Sequence, residues 1–166
     1  MALAQRAGEL LRARGLTVAT AESATGGLIA ALLTAVPGSS DYFRGGVVAY
    51  ANEVKSRLLG VREAVLAEYG AVSEIVGRQM AEGVRQLLAV DIGLADTGIA
   101  GPGGGSAAKP VGLFYLGLAT PVGTQVQELR LQGDRRQNRE AAALAALALL
   151  VAYLEGSGTI SLGPAE

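Results

Sequence analysis

Hydrophobic and polar residues change period several times along the chain, which indicates that helices and strands alternate. Apolar residues three and four positions apart predict amphipathic helices, and short runs rich in β-branched residues predict strands. The predicted helices cover residues 3–14, 28–36, 53–59, 62–69, 74–88 and 134–154. The predicted strands cover residues 17–21, 46–51, 91–98, 111–120 and 125–132. Three consecutive strands therefore precede the final helix.

This order of elements predicts the fold class α/β, as a three-layer α/β/α sandwich around a mixed, mostly parallel five-stranded sheet. The last two strands are joined by a short turn at 121–124, so we expect them to pair antiparallel. Residues 125–132 alternate imperfectly between polar and apolar side chains, which suits an edge strand. No repeat or linker divides the chain, so we expect one domain over 1–155 and a mobile tail over 156–166.

Composition and charge narrow the classes of function. The chain has 166 residues, half of them hydrophobic but only 4% aromatic, so its core is built mainly from Leu, Ala, Val and Ile. Its 14 basic and 15 acidic residues give a net charge of −1, and no basic surface indicates a nucleic-acid partner. No apolar run reaches the roughly 18 residues of a membrane span.

The sequence contains neither cysteine nor histidine. Without cysteine there are no disulfides, which is typical of a cytoplasmic protein, and no thiolate or imidazole is available to hold a metal. We therefore expect no structural zinc, and we also expect no other metal and no cofactor. A histidine base and a thiol nucleophile are also missing, so a serine paired with a lysine is the natural nucleophilic arrangement.

Polar residues are concentrated where the predicted parallel strands end. Ligands of open α/β sheets bind at the carboxyl ends of such strands, near the point where the strand order reverses. Three segments would meet there, and their members are Glu22, Ser23, Thr25, Gly26, Gly27, Tyr50, Asn52, Lys55, Thr97 and the glycine-rich loop that follows. Hydroxyls, a carboxylate, an ammonium group and free backbone N–H groups would share this edge, as in a binding site.

Two glycine-rich segments at this edge could receive an anion. Thr25, Gly26 and Gly27 open a helix, and a helix N-terminus offers free N–H groups and a positive dipole end. The loop GIAGPGGGSAAKP offers a nest of N–H groups for a phosphate or an oxyanion. Neither signal is specific, because a tight turn and a flexible connection have the same composition. The loop matches neither the Walker A pattern nor GxGxxG followed by a helix.

Lys55 is the most informative charged residue. If Asn52 is the N-cap of its helix, Lys55 falls at the third helical position, where the dipole disfavours a cation by about 0.3–1 kcal/mol. It could be an ordinary surface residue. Alternatively, the dipole and burial together lower its pKa. Action as a base near neutrality requires a fall from about 10.4 to roughly 7, which the dipole alone does not supply.

Two positions compete for the nucleophilic serine. Ser23 lies at the carboxyl end of the first strand, where Lys55 is expected. Ser39 and Ser40 precede the second strand and fall at its other end, about 15 Å away across five residues. Ser40 could join the site if its loop crosses the sheet edge or if a second subunit supplies it. A Pro-Gly-Ser turn without chemistry is the alternative.

Three stretches of the sequence, in this order, are similar to one known family: AESATGGLIAALLTAVPGSSDYFRGGVVAYANEVKSRLLGV, GAVSEIV and TGIAGPGGGSAAKPVG. Together they resemble the CinA C-terminal-domain family of nicotinamide-nucleotide amidohydrolases, in register over about residues 5–150. The resemblance implies a three-layer sandwich that hydrolyses the carboxamide of nicotinamide mononucleotide (NMN) without a metal, giving nicotinate mononucleotide and ammonia. Many relatives carry an N-terminal domain similar to molybdopterin-binding proteins, and its absence here implies a stand-alone deamidase.

The motif positions of the family can be carried over residue by residue. The catalytic positions fall on Ser23, Ser40, Tyr50 and Lys55. The substrate-binding positions fall on Glu22, Thr25, Gly26, Gly27, Thr97, Gly98, Ala100, Gly101, Gly103, Gly104, Arg135 and Arg139. Ala24 departs from the pattern, because relatives often have cysteine there, and this variation argues against a nucleophile at that position. GPGGG departs from it because relatives often have an acidic residue in place of one glycine.

The reaction expected from the resemblance is acyl transfer to Ser23 or Ser40, with Lys55 as the base and Tyr50 orienting or relaying the proton. Backbone N–H groups of the glycine loop or of residues 26–27 would hold the oxyanion. Direct attack by water remains an alternative to the covalent step.

The phosphate of NMN would take the remaining N–H groups together with Arg135 or Arg139. A nucleotide-sensing domain that binds NMN without hydrolysing it, and a structural partner domain that does neither, are the rival classes. We also expect a homo-oligomer, with a dimer as the first expectation, because the Ala-rich final helix could pack against a second copy.

Overall fold

The computed structural model describes residues 1–157 and contains a five-stranded sheet with helices on both faces. The elements are α1 (Ala2–Arg14), β1 (Val18–Glu22), α2 (Leu28–Thr34), a 3₁₀ turn (Ser39–Asp41), β2 (Phe43–Val48), α3 (Asn52–Leu59), α4 (Glu63–Tyr69), α5 (Glu74–Leu87), β3 (Ile92–Gly98), β4 (Leu113–Thr120), β5 (Gly123–Arg130) and α6 (Arg135–Leu154). Every predicted helix and strand is present, with shifted ends. Of the predicted tail, residues 158–166 lie outside the described part.

The strand order is β2-β1-β3-β4-β5. β1 pairs in parallel with both β2 and β3, whereas β4 is antiparallel to β3 and β5. Four strands therefore point the same way and β4 alone is reversed, which confirms the mixed, mostly parallel sheet. β5 lies at an edge, as its imperfect alternation predicted.

Two layers of helices complete the sandwich. Helices α1, α2 and α6 cover one face of the sheet, and α3, α4 and α5 cover the other. Side chains of β3 alternate between these layers, so that Leu94 packs on the first and Ala95 on the second. No helix among residues 1–157 has both the length and the apolar character needed to cross a membrane.

Helix α5 lies unusually close to the sheet. A side chain at Gly117 would meet the carbonyl oxygen of Gly77 in α5, and one at Gly93 would meet that of Ala81. Glycine is required at these strand positions because the helix backbone occupies the space of a methyl group. The contact fixes β3, and with it the strand end that carries the site.

The start of α3 differs from the prediction. Ala51 is the N-cap residue in an extended conformation, no side chain within residues 1–157 caps the helix, and Asn52 is already its first residue. Lys55 is consequently the fourth helical residue rather than the third. At the start of α5 the N-cap residue is Ser73, whose hydroxyl accepts the N–H of Val76.

Candidate active site

The carboxyl ends of β1, β2 and β3 bring most of the predicted site residues together. Glu22 pairs with Val48 in the register of β1 and β2, and Ala21 pairs with Ala95 in β3. The segments that follow these strands therefore start side by side at one edge of the sheet. They supply a buried serine–lysine pair, two carboxylates and a glycine-rich loop.

Lys55 reaches the end of β1 from the first turn of α3. Helical side chains lean toward the helix N-terminus, and this direction carries the ammonium group back over the sheet edge. Its Nζ lies 3.0 Å from Oγ of Ser23, 2.8 Å from the carbonyl oxygen of Ala49 and 3.1 Å from that of Tyr50. Lys55 is 1% exposed and Ser23 is 8% exposed. The geometry therefore joins the lysine to Ser23.

The two main-chain carbonyls leave one position on Nζ for the serine. A neutral amine has two N–H groups and one lone pair, whereas an ammonium group has three N–H groups. The carbonyls of Ala49 and Tyr50 accept two N–H groups in either state. The remaining position faces Ser23 Oγ, as a lone pair in the amine and as a donor in the ammonium form. This arrangement can take a proton from the hydroxyl and return it.

Burial lowers the pKa of Lys55, and the negative charge of Asp96 partly opposes this effect. Among residues 1–157, no carboxylate lies within ion-pair distance of Lys55 Nζ. The burial that the sequence argument required of a lysine base is thus present. The direction of the pKa change favours the neutral amine.

The Glu22 carboxylate occupies the predicted anion-binding position at the start of α2. Its carboxylate is 1% exposed and accepts the backbone N–H groups of Gly27 (2.9 Å), Ile29 (3.0 Å) and Ala30 (2.8 Å). The N–H of Gly26 is also used, because it donates to the carbonyl of Ser23. The prediction that residues 26–27 offer free donors to a ligand is therefore wrong in this structure. The helix dipole already faces an internal negative charge.

Asp96 is a site residue that the sequence reasoning missed. It is fully buried in β3, and its carboxyl group accepts the N–H groups of Ser23 (3.0 Å) and Thr25 (3.2 Å). Thr25 Oγ1 contacts both Asp96 Oδ1 and Glu22 Oε2. The available signal was a lone carboxylate inside the apolar strand IGLADTG, next to the predicted Thr97.

A cleft of about 230 Å³ opens beside this buried group. Its lining consists of Ala24, Tyr50, Gly98, Ile99, Ala100, Gly101, Gly103, Gly104 and Arg135. Arg135 Nη1 donates to the carbonyl of Gly101 (2.9 Å), and its Nη2 lies 3.3 Å from the Tyr50 hydroxyl. The predicted glycine loop, Tyr50 and Arg135 thus share one cavity.

Several backbone N–H groups around the cleft are available to a ligand. Within residues 1–157, the N–H groups of Ala24, Ala100, Gly101, Gly103 and Gly104 have no hydrogen-bond partner in the protein. Gly101 and Gly104 have φ values of 88° and 85°, a conformation that glycine adopts without strain. The loop is therefore a credible nest for an anion.

Asn138, also missed from the sequence, holds this loop to α6. Its side-chain amide is buried, donates to the carbonyls of Ala100 and Gly133, and accepts the N–H of Gly133. No short-range sequence signal connects Asn138 to Ala100.

Other predicted residues lie elsewhere or act through different atoms. Ser40 is exposed in the 3₁₀ turn before β2, at the opposite end of that strand, about 16 Å from the site by strand length. Thr97 donates its hydroxyl to the carbonyl of Ala71, on the α4–α5 side of the sheet. The structure therefore gathers neither hydroxyl with Lys55 in this chain.

Tyr50 and Arg139 are near the site but not in the predicted roles. Tyr50 is 65% exposed; its carbonyl oxygen accepts from Lys55, whereas its hydroxyl lies beside Arg135, so the hydroxyl is not placed to relay a proton from Lys55. Arg139 donates to the carbonyls of Ala24 and Thr25, each at 3.0 Å, and so supports the turn that carries Ser23. Arg135 is the arginine that lines the cleft.

Comparisons with known proteins agree with this fold. The family model described as the CinA C-terminal domain matches residues 1–154. A CinA-like protein of Synechocystis sp. is 57% identical over 135 residues, 81% of this chain and 32% of the relative. A CinA-like protein of Gloeobacter violaceus is 56% identical over 133 residues, 80% of this chain and 31% of the relative. The chain spans about a third of the length of these curated relatives.

Solved structures give the same result. The competence/damage inducible protein CihA from Agrobacterium tumefaciens superposes with a TM-score of 0.90 at 43% identity, covering 93% of this chain and 94% of that one. A CinA superfamily protein from Klebsiella pneumoniae also gives a TM-score of 0.90, at 35% identity, covering 93% and 97%. The family match over residues 1–154, the identity to these relatives and the superposition on these structures show that the chain belongs to the CinA C-terminal domain family.

Proposed function

We propose that this chain is an amidohydrolase that converts NMN to nicotinate mononucleotide and ammonia, with Ser23 as nucleophile and Lys55 as base. The observation that carries the proposal is the 3.0 Å contact between Lys55 Nζ and Ser23 Oγ in a buried position beside an open cleft. A serine becomes nucleophilic when an adjacent base can take its proton. Among residues 1–157, this is the serine that the structure pairs with a lysine amine.

In the first step, Lys55 accepts the proton of the Ser23 hydroxyl while Oγ attacks the carboxamide carbon. The tetrahedral intermediate collapses when the Lys55 ammonium group returns that proton to the nitrogen, so that ammonia leaves and a serine ester remains. The ammonium form is held by the same carbonyls of Ala49 and Tyr50 that orient the amine. Its proton therefore points at the reacting atoms.

In the second step, water attacks the ester carbon, Lys55 takes the water proton, and Ser23 Oγ leaves with it as nicotinate mononucleotide is released. The N–H of Ala24, directly after the nucleophile, has no partner among residues 1–157 and is suited to hold the oxyanion. Such a donor contributes about 3–4 kcal/mol to transition-state stabilisation. This assignment replaces the donors of residues 26–27, which are used inside the protein.

The cleft suits the rest of the nucleotide. Arg135 and the free N–H groups of the glycine loop can bind a phosphate. The exposed ring of Tyr50 offers a π face to the cationic pyridinium ring. At about 230 Å³ the cleft is smaller than common ligand pockets, so part of the nucleotide would remain in solvent.

Ammonia release from NMN by protein dialysed against a chelator tests the proposal. We expect release that falls by roughly 10³-fold or more in Lys55→Ala, with NMN binding by calorimetry retained. Lys109→Arg, at the chain's other lysine, is the matched control and should keep full activity. Binding without release by the unaltered protein would indicate the sensing domain, and absence of both would reject an NMN site.

A further inference from the structure

The Thr25 hydroxyl lies between two buried carboxyl groups. Its oxygen is 2.6 Å from Glu22 Oε2 and also in hydrogen-bond contact with Asp96 Oδ1. A hydroxyl group has one proton to donate. If both carboxyl groups were ionised, one of these two contacts would join oxygen atoms with no proton between them. One carboxyl group must therefore carry a proton and donate it to Thr25.

Glu22 is the ionised member of this trio. Its two oxygens accept three backbone N–H groups at the start of α2, from Gly27, Ile29 and Ala30. Three such bonds and the positive end of the helix dipole stabilise a carboxylate strongly. The Thr25 hydroxyl consequently donates to Glu22 and accepts from its other neighbour.

Asp96 is the member that holds the proton below about pH 6. Burial and the negative charge of Glu22 raise the pKa of Asp96 to about 6, against the lowering effect of the backbone N–H groups of Ser23 and Thr25. When protonated on Oδ1 it can donate to Thr25 and still accept the N–H of Ser23 on the same oxygen. The turn that carries Ser23 is thereby tied to β3.

The charged groups facing Asp96 come from three elements. Glu22 faces it from β1, Lys55 from α3, and Arg139 of α6 supports the carbonyls of the same turn. On β4 its partner in the register is the apolar Leu116. Lys55 is therefore the cation on which a change of charge at Asp96 acts.

We infer that Asp96 is a positioning residue of the Ser23–Lys55 pair: it shares one proton with Thr25 and Glu22, and its charge controls how firmly Lys55 holds its own proton. Asp96 touches no substrate in this role. Loss of its proton places a negative charge near the amine and stabilises the ammonium form. Retention of the proton leaves Lys55 free to act as a base at lower pH.

Carbon-13 NMR of labelled aspartate carboxyl groups tests the proton. The sequence has four aspartates, Asp41, Asp91, Asp96 and Asp134, so four signals can be assigned by single Asp→Asn variants. We expect Asp96 to titrate near pH 6, well above Asp91, whose pKa is lowered by its hydrogen bonds. If Asp96→Asn does not fold, its signal is assigned by elimination with the other three variants. Titration of all four together in the acid range would overturn the inference.

Nitrogen-15 NMR of labelled lysine tests the coupling. The sequence has two lysines, so in the Lys109→Arg variant the one remaining lysine signal is that of Lys55. In Asp96→Asn we expect the midpoint of Lys55 to move to lower pH by roughly 1 unit, because an opposite charge has been removed. The matched variant Asp91→Asn, at the other end of β3, should leave it in place. An unchanged midpoint in Asp96→Asn would contradict the coupling.

The catalytic consequence rests on the proposed amidohydrolase activity, whereas neither NMR titration depends on it. The acid limb of kcat/KM for NMN should move to lower pH in Asp96→Asn by the same amount as the Lys55 midpoint. A variant that merely loosened the turn would lose kcat without moving this limb. If the protein releases no ammonia, the proposed function fails while the two NMR midpoints still decide the role of Asp96.

Discussion

Asp91 and Asp96 stand at opposite ends of β3 and bind the chain around β1 in the same way. Asp91 accepts the N–H and the hydroxyl of Thr17 before β1, each at 2.8 Å. Asp96 accepts an N–H and contacts the hydroxyl of Thr25 after β1. The pKa of Asp91 is lowered by its hydrogen bonds, whereas that of Asp96 is raised by burial. Similar contacts thus give a structural clamp at one end and a proton-holding group at the other.

The difference comes from what lies behind each threonine. The Thr17 hydroxyl donates to one carboxylate, that of Asp91, and also accepts the backbone N–H of Asp91. The Thr25 hydroxyl contacts a second carboxylate, that of Glu22, and all three side chains are buried. A hydrogen-bond pattern alone therefore does not assign a protonation state, because the count of protons and the degree of burial decide it.

The largest effect should come from Ser23, the serine at the end of the sheet that carries Lys55. Ser23→Ala removes the hydroxyl beside Lys55, and we expect kcat for NMN to fall by roughly 10³-fold or more. Ammonia release under saturating NMN measures this loss. Activity close to that of the unaltered protein would remove Ser23 as nucleophile and leave direct water attack or Ser40.

The pH dependence of stability should separate the two aspartates. A raised pKa gives Asp96 a contribution that is present below its unfolded value of about 3.8 and is lost as pH rises through about 6, by up to about 3 kcal/mol. Asp96→Asn should therefore gain stability relative to the unaltered protein as pH rises from 4 to 8. Urea unfolding at a series of pH values measures this change.

Asp91→Asn should show the opposite trend. Because the pKa of Asp91 is lowered, its contribution is present at neutral pH and is lost as pH falls through the acid range. The variant should be less stable at pH 7, with a difference that shrinks on acidification. If stability changed with pH in the same way in both aspartate variants, the proposed difference between Asp91 and Asp96 would be contradicted.

Substitution of two arginines tests whether substrate binds at the cleft end of the sheet rather than at the opposite end. Arg135 lines the cleft, whereas Arg44 donates to the carbonyl of Ser40 at the far end of β2. We expect Arg135→Gln to raise KM for NMN by roughly 10-fold with a smaller change in kcat, because a phosphate contact is lost. Arg44→Gln is the matched control, and an equal rise in KM would contradict the assignment of the cleft.

The smallest effect should come from Ser40→Ala. In one chain this exposed serine lies at the wrong end of β2 for Lys55, so kcat should change by less than about threefold. A large loss would mean that a second copy supplies the hydroxyl. Light scattering would then show the predicted oligomer, and mixing Ser40→Ala with Lys55→Ala protein should restore activity.

The sequence predicted the elements of the fold because each has a clear period and a clear end. Gly15 and Gly60 end helices in the left-handed conformation, and Ser73 caps α5 with its side chain. The cap at Asn52 was predicted from residue type alone and is wrong, because Ala51 takes the extended conformation instead. Local sequence signals thus predict that a helix or strand is present more accurately than they predict the residue at which it begins.

The candidate site was less predictable, because its geometry depends on side-chain directions across different elements. Strand direction sufficed to join Ser23 to Lys55. It could not show that Glu22 folds back onto α2, nor that Asp96 faces Thr25 while Thr97 faces the opposite layer. Only the packing of β1 against β3 determines which polar groups use one another and which remain for a ligand.

The close contact of α5 with the sheet limits which substitutions this sequence can accept during evolution. A methyl group added at Gly117 would occupy the place of the Gly77 carbonyl oxygen in α5, so even this small change forces the two layers apart. The Ala-rich layer of α6 contacts the other face through side chains, which can be exchanged and repacked. Neutral variation should therefore accumulate on the α6 face, while the α5 face changes only through paired substitutions that keep its spacing.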